Sequence, residues 1–511
     1  MKYLPLGYSS LGKIVKNNCI YVDKTKYILD IIRSGTYYFL SRPRRFGKTL
    51  TLDTLKCIFE GRKELFKGLY IYDRWNWEER YPVLKIDFSQ ITAPEKSRIE
   101  LNLRNYLFDE EKRLELGDCR REELPFYFRD IIIKAKKKYG KNVVVLIDEY
   151  DKPILDNIEK PSLAEEIRDF LSNFYGILKG LDEHLRFVFL TGVSKFSKVN
   201  LFSKLNNLED ITLDENYSTL CGYTEDEIKE YFKEHLKGAD MEKMRRWYNG
   251  YSWLGESVYN PYDILLFIKK GFRFHPYWFE TGTPTFLLKL IKERKYFVPD
   301  LERIEATDTI LGSFDVYTIE IESLLWQTGY LTIKGTRQLG ERTRYLLSYP
   351  NMEVKISLSE YILTYLSNIG VSDYSNTSSG VYEAFLKGDV EKLISEFKRL
   401  FSSIPYTNFT RNELEGYEGF YGSVIYSFLA SLGVEVIAED ITNKGRIDLT
   451  VLVENKAYIF EFKVGKDAVD AFKQIKERRY FEKYGDRETF LIGISFDKEK
   501  RNIGEYRWEK V

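Results

Sequence analysis

Along the first 223 residues, short uniformly apolar runs alternate with longer stretches whose apolar positions recur at helical spacing. The runs lie at 37–40, 83–86, 143–147 and 187–190, and 164–181 is a clear helical stretch between two of them. Uninterrupted apolar runs suit strands buried on both faces, and strands alternating with helices predict a parallel sheet covered on both sides. From Thr224 to about residue 377 helices dominate. This region opens with Thr224-Glu-Asp-Glu227, a hydroxyl three residues before a glutamate, which predicts a capping box. Runs at 331–334 and 345–349 predict a hairpin, so the region reads as a helical lid followed by a winged-helix-like unit. The small polar stretch Ser372-Asp-Tyr-Ser-Asn-Thr-Ser-Ser-Gly380 reads as a linker. The last region, 378–511, starts with helices and ends in an α/β block from about 414. In that block 446–453 and 457–464 alternate with period two, and 423–432 and 468–483 are helical. The expected domains are 1–223, 224–377 and 378–511.

Of the 511 residues, 43% are apolar and 31% charged, which excludes a disordered chain. Lys plus Arg total 78 and Asp plus Glu total 78, which excludes a polybasic tail protein. The segment 411–511 holds 17 basic against 19 acidic residues, so any grip on nucleic acid there must be local. The cysteines, Cys19, Cys57, Cys119 and Cys221, are far apart and form no CxxC pair. His184, His235 and His275 form no ligand-like pair. A disulfide framework and a Cys/His zinc site are therefore not expected. The first ten residues lack a basic segment leading into an apolar one, and no apolar run approaches the roughly 20 residues that cross a bilayer. The expectation is a cytoplasmic protein with no membrane partner.

Tyr37-Tyr-Phe-Leu-Ser-Arg-Pro-Arg-Arg-Phe-Gly-Lys-Thr-Leu50 runs from an apolar strand through a loop into a helix. Phosphoryl groups need backbone N–H donors at a helix start, one cation and one hydroxyl for Mg²⁺. Gly47 permits close approach of the backbone, Lys48 can reach the terminal phosphates, and Thr49 can ligate the metal. The whole loop, Arg42, Pro43, Arg44, Arg45, Phe46, Gly47, Lys48, Thr49 and Leu50, is the candidate nucleotide cradle. Arg42 stands where a glycine is usual, and Arg42, Arg44 and Arg45 are expected to add positive charge. A basic helix start without nucleotide is the plainer reading of this segment alone. A second segment changes that balance. Val143-Val-Val-Leu-Ile-Asp-Glu-Tyr150 is an apolar strand ending in two acids, and ligands of parallel sheets bind at such ends. Asp148 would hold Mg²⁺ and Glu149 would polarise the attacking water. Thr191, ending a further strand, could sense the terminal phosphate, whereas Lys195 and Lys198 read as a solvated basic loop.

In the last region Glu454-Asn455 reads as a two-residue turn. Val453 then faces Lys456, Leu452 faces Ala457, Thr450 faces Ile459, and Asp448 faces Glu461. Side chains alternate, so Lys463 shares the face of Asp448 and Glu461. Adjacent carboxylates repel unless a cation lies between them. Mg²⁺ would leave room for a phosphodiester and a water, and Lys463 could orient that water. A solvated hairpin with Lys463 paired to an acid is the plainer alternative. Glu418 could add a third carboxylate from the upstream helix, with Glu415 as its rival. On 468–483, Gln474 lies inward while Lys473, Lys476, Arg478, Arg479 and Lys483 decorate the helix, a pattern that suits a phosphate backbone or a merely solvated face.

Together these segments resemble a bacterial and archaeal family that joins an AAA-ATPase-like domain to a C-terminal PD-(D/E)XK nuclease superfamily domain. The resemblance is carried by Tyr21-Val-Asp-Lys-Thr25, Ser41-Arg-Pro-Arg-Arg-Phe-Gly-Lys-Thr49, Asp148-Glu-Tyr-Asp-Lys-Pro153, Leu190-Thr-Gly-Val-Ser194, Trp247-Tyr-Asn-Gly-Tyr251, Tyr259-Asn-Pro261, Gln327-Thr-Gly-Tyr-Leu331, Gly445-Arg-Ile-Asp448 and Phe460-Glu-Phe-Lys463. It implies an ATP-binding core, a helical middle and a restriction-endonuclease-like C-terminal α/β fold. Asp448, Glu461 and Lys463 match the nuclease signature, with Glu418 as the helix acid and Gln474 as the accessory polar residue. Ile447 stands where a proline is usual. The function implied is ATP binding, with hydrolysis, and Mg²⁺-dependent cleavage of nucleic acid, DNA before RNA, by a chain that could form a homo-oligomer. The alternatives are a nucleotide-switched module that binds DNA or protein without cutting, and a scaffold with both motifs degenerate.

Overall fold

The apolar runs of the first region form strands because each is buried along its whole length or nearly so. They are β1 (Tyr37–Ser41), β2 (Val83–Asp87), β3 (Val143–Asp148) and β4 (Leu185–Gly192), joined by the two-residue β5 (Glu209–Asp210). In the computed structural model they pair in parallel in the order β2-β3-β4-β1-β5. β4 therefore stands between β1 and β3, and the loops after these three strands share one edge of the sheet. The helix Lys48–Phe59 follows the loop after β1 and packs on β2, β3 and β4. The structure describes residues 1–511 apart from 92, 120, 196–203, 282–284, 313, 314, 316, 405–417, 443 and 444, and of residues 281 and 418 the backbone alone.

Two compact units divide the chain. One comprises Met1–Trp278 and Glu305–Leu346, the other Phe279–Ile304 and Leu347–Val511. Of residues 224–377, 224–278 and 305–346 lie in the first unit and 279–304 and 347–377 in the second. The capping box at Thr224 and Glu227 is present and starts the helix Glu225–Tyr231. After β6 (Ile304–Ala306), the expected hairpin is formed by β7 (Thr332–Leu339) and β8 (Arg342–Ser348).

The stretch Ser372 to Gly380, expected as a linker, is instead part of the helix Val371–Lys387. Thr377, Val381, Ala384 and Phe385 are its buried positions, a helical spacing that outweighs the composition. Ser378 donates its hydroxyl to the Tyr374 carbonyl at 2.6 Å, so the serines are accommodated by bonding back along the helix.

The second unit ends in a mixed sheet of β9 (Glu435–Thr442), β10 (Gly445–Val453), β11 (Lys456–Val464), β12 (Glu488–Asp497) and β13 (Asn502–Lys510), in the order β13-β12-β11-β10-β9. All neighbours are antiparallel except β11 and β12. On one face Ile475, from the helix Ala468–Glu477, packs with Ala457, Ile459 and Leu491. On the other, Tyr421 of the helix Glu418–Ser431 stacks on Phe496 at 4.4 Å. Positions 491 and 496 of one strand have opposite parity, so the two helices cover opposite faces. The helix expected to run to 483 stops at Glu477, because Arg479 turns into the left-handed region at φ 48, and a short 3-10 turn over Tyr480–Tyr484 follows.

Candidate functional site

The loop after β1 is shaped from within. Lys48 is buried, and its ammonium donates to the Arg42 and Pro43 carbonyls at 2.8 and 3.0 Å. Burial pushes its pKa down, opposed by the carboxylates of Asp148, Glu149 and Asp151. An ammonium has three protons to donate, so one is left for a phosphoryl oxygen. The helix Lys48–Phe59 begins at Gly47, whose φ is 99, and offers its first N–H groups at the same place. Thr49 is half-buried on that first turn. Cation, amides and hydroxyl on one loop fit a nucleotide with its Mg²⁺.

The acids stand opposite. Asp148, ending β3, is buried and accepts from Thr191 Oγ1 at 2.8 Å. Thr191 thus reaches the acid that ends β3. Glu149 follows at φ 49, and burial pushes its carboxyl pKa up, with Lys48 pulling the other way. Asp151 is buried too, and accepts from the amides of Val193 and Ser194 and from the Ser194 hydroxyl. That carboxylate ties the end of β4 to the end of β3. Lys195 is not solvated as expected but pairs with Asp210 at 2.6 Å. Lys198 lies outside the described residues.

Arg42 departs from its expected role. Its guanidinium is buried, donates to the carbonyls of Ser41, Thr212 and Tyr217, and lies 4.2 Å from the Trp253 ring. It acts as an internal strut, which explains why arginine can stand where glycine is usual. Arg45 sits over Tyr262, and Arg44 is exposed.

Sequence reasoning missed what holds the loop from outside. Phe46 meets Tyr251 and Trp253 edge-on at 4.8 and 5.4 Å. Trp278 Nε1 donates to the Arg44 carbonyl at 3.0 Å. Gln327 accepts from the Lys195 amide at 2.7 Å. The segments around Tyr251, Tyr259 and Gln327, which carry part of the resemblance, brace the loop after β1 and the end of β4. Gly329 marks a close approach to the loop: its φ is 90, and a Cβ there would lie 2.7 Å from Pro43. Gly329→Ala should therefore push Pro43 outward and weaken ATP binding about tenfold, measured by calorimetry with an ATP analogue.

In the second unit the hairpin register runs as the spacing predicts. Leu449 pairs with Phe460, Thr450 with Ile459, Leu452 with Ala457 and Val453 with Lys456, around a turn where Glu454 has φ 50. At the next position the ladder gives way to side chains. Asp448 Oδ2 accepts from the Phe462 amide at 2.8 Å. Lys463 Nζ lies 3.4 Å from Glu461 Oε1, and Gln474 donates to the same oxygen. Asp448, Glu461, Lys463 and Gln474 are thus brought together. Glu461 is 1% exposed, and its second oxygen, Oε2, has no hydrogen-bond partner among the described residues. Burial first and the Asp448 charge second push its pKa up to about 8. A buried carboxylate with one unsatisfied oxygen beside a second carboxylate is a donor set that suits a hard divalent cation.

Among the described residues no three His, Cys, Asp or Glu side chains gather to hold a metal. Glu418 begins the helix Glu418–Ser431, but its side chain, like the whole of Glu415, lies outside the described ones. Glu439 was not anticipated. It stands in β9 at φ 50, pairs with Arg446, and its pKa is raised by burial, with the Asp448 charge adding to the rise. Nothing in the local sequence signals such an irregularity in a strand.

Comparison with known proteins places these sites in context. The family described as "Predicted AAA-ATPase" matches residues 5–202, and the family described as "PD-(D/E)XK nuclease superfamily" matches residues 416–506. An "Uncharacterized protein in vnfD 5'region" of Azotobacter chroococcum mcd 1 is 46% identical over 508 residues, covering 98% of each chain. No solved structure matches the chain. Among the described residues no helix is long and apolar enough to cross a membrane.

Proposed function

The chain belongs to the family that joins an AAA-ATPase-like domain to a PD-(D/E)XK nuclease superfamily domain, and from that premise we propose an ATP-binding and ATP-hydrolysing enzyme that cuts DNA with Mg²⁺. The observation that carries the reading is Glu461 Oε2, buried and without a hydrogen-bond partner among the described residues, on a carboxylate that feels the charges of Asp448 and Lys463. A divalent cation would give that oxygen a partner and offset the repulsion between the two carboxylates.

In the first unit Lys48 and the first-turn amides would hold the nucleotide phosphates, and Thr49 and Asp148 would hold its Mg²⁺. Glu149, made more basic by burial, accepts a proton from the water that attacks the terminal phosphoryl group. Thr191, bonded to Asp148, relates the end of β4 to the phosphate. In the second unit Asp448 and Glu461 would hold Mg²⁺, which when bound supplies Lewis-acid stabilisation of the charge that develops on the phosphodiester. Gln474 fixes the rotamer of Glu461. Lys463 orients the attacking water and balances charge at the leaving oxygen. Nucleotide state would gate cutting.

The test is incubation with duplex DNA, single-stranded DNA and RNA, with Mg²⁺ or a chelator, and with or without ATP. DNA cleavage should require Mg²⁺ and stop in chelator. Cutting that persists in chelator, or in a chain carrying Asp448→Ala and Lys463→Ala, would overturn the assignment.

A further inference from the structure

Five basic residues decorate the end of the helix Ala468–Glu477 and the turn after it, and four of them are already engaged by carboxylates. Lys473 pairs with Glu477, Lys476 with Glu509, Arg479 with Glu482 and Lys483 with Asp440. Arg478 differs. Among the described residues its guanidinium has no carboxylate within ion-pair distance. Its Nη1 donates instead to the phenol oxygen of Tyr480 at 3.1 Å. Tyr480 is fully buried and donates its hydroxyl to the Arg446 carbonyl at 2.7 Å, two residues before Asp448.

The placement is not that of a stray surface arginine. Arg478 follows Gln474 by four residues, so the two share one side of the helix, and Gln474 bonds Glu461. The Tyr480 phenol acts on the Arg478 guanidinium first, and the Glu461 charge adds a smaller pull. Gly445, at φ 152, makes the approach feasible: a Cβ there would lie 2.6 Å from Arg478 Nη1 and 3.0 Å from the Tyr480 hydroxyl. A neutral phenol leaves the planar fork of an arginine unneutralised, and such a fork matches two phosphate oxygens.

We propose that Arg478 contacts the phosphodiester of the nucleic acid at the Asp448–Glu461–Lys463 site, held there by Tyr480 and given room by Gly445. This deepens the nuclease reading and rests on it for the substrate. Arg478 is the binding residue, and Tyr480 positions it.

The test uses the full chain with a labelled duplex DNA oligonucleotide. Binding is measured in chelator between about 50 and 200 mM salt, and cleavage is measured in Mg²⁺. Arg478→Ala should bind about tenfold more weakly, with a salt slope shallower by about one, and cut roughly 100-fold more slowly. Arg478→Lys should regain the slope but not the rate, because an ammonium lacks the fork. Tyr480→Phe should lower kcat while leaving KM and the slope in place. Arg478 is exposed, so its variants should melt as the wild type does. If Arg478→Ala binds with wild-type affinity and slope, the inference is wrong, whatever happens to cutting. If the wild type binds but never cuts while the slope still falls in Arg478→Ala, the phosphate contact stands and the nuclease reading fails. A wild type that does not bind DNA at all removes both.

Discussion

Replacing Lys48 with alanine should weaken ATP binding by at least about 100-fold and leave the free protein less stable by roughly 1–3 kcal/mol. Both effects follow from one geometry. The ammonium is buried, bonds two carbonyls of its own loop, and faces the three carboxylates of Asp148, Glu149 and Asp151. Alanine leaves those carbonyls without this donor and those acids without the Lys48 charge. A phosphate tail entering the loop then meets uncompensated negative charge. Thermal melts with and without ATP give a direct reading, since a ligand that binds only the folded state raises the melting temperature by mass action. The wild type should shift with ATP and the variant should not. A variant that shifts as much as the wild type would detach the loop from nucleotide binding, however closely its sequence matches.

The loop also shows where the sequence is informative and where it is silent. Gly47, Lys48 and Thr49 are legible because backbone amides, one cation and one hydroxyl must be close in sequence to surround one phosphate chain. The same holds for Glu461 and Lys463, since a two-residue turn and period-two alternation determine which positions face each other, whereas Asp448 lies one position past the paired ladder and reaches the Phe462 amide with its side chain. Arg42 is not legible, because its direction is set by Thr212, Tyr217 and Trp253, some 170 to 211 residues away. The brace of Tyr251, Trp278 and Gly329 on the loop is hidden for the same reason. Ser372 to Gly380 misled through composition: Thr377, Val381, Ala384 and Phe385 carry a helical stripe that extends beyond the polar stretch. Glu439 had no signal at all, since an irregularity in β9 depends on what β10 does opposite it. What could be read was local chemistry with fixed spacing; what could not was long-range packing.

Glu461→Gln should lower DNA cleavage by about 1,000-fold or more and yet make the metal-free protein more stable, by about 1–3 kcal/mol at pH 9. The two effects have one cause. Ionised Glu461 is buried beside Asp448, with Lys463 at 3.4 Å and Gln474 satisfying only one of its oxygens. Folding that charge into such a place costs free energy, which is why its pKa is raised from 4.5 to about 8. Glutamine keeps the shape, still accepts from Gln474 and removes the repulsion with Asp448. It also removes the charge that would hold Mg²⁺. Melting curves in chelator at pH 9 should therefore place the variant above the wild type. Adding Mg²⁺ to saturation should close the gap, because only the wild type gains by binding, about 2.7 kcal/mol at 100 times its dissociation constant. A residue kept for structure would show the opposite order, with the variant melting lower in chelator and Mg²⁺ making no difference. Stability held below its local optimum, and restored by a divalent ion, is what a metal-binding carboxylate shows and an ordinary ion pair does not.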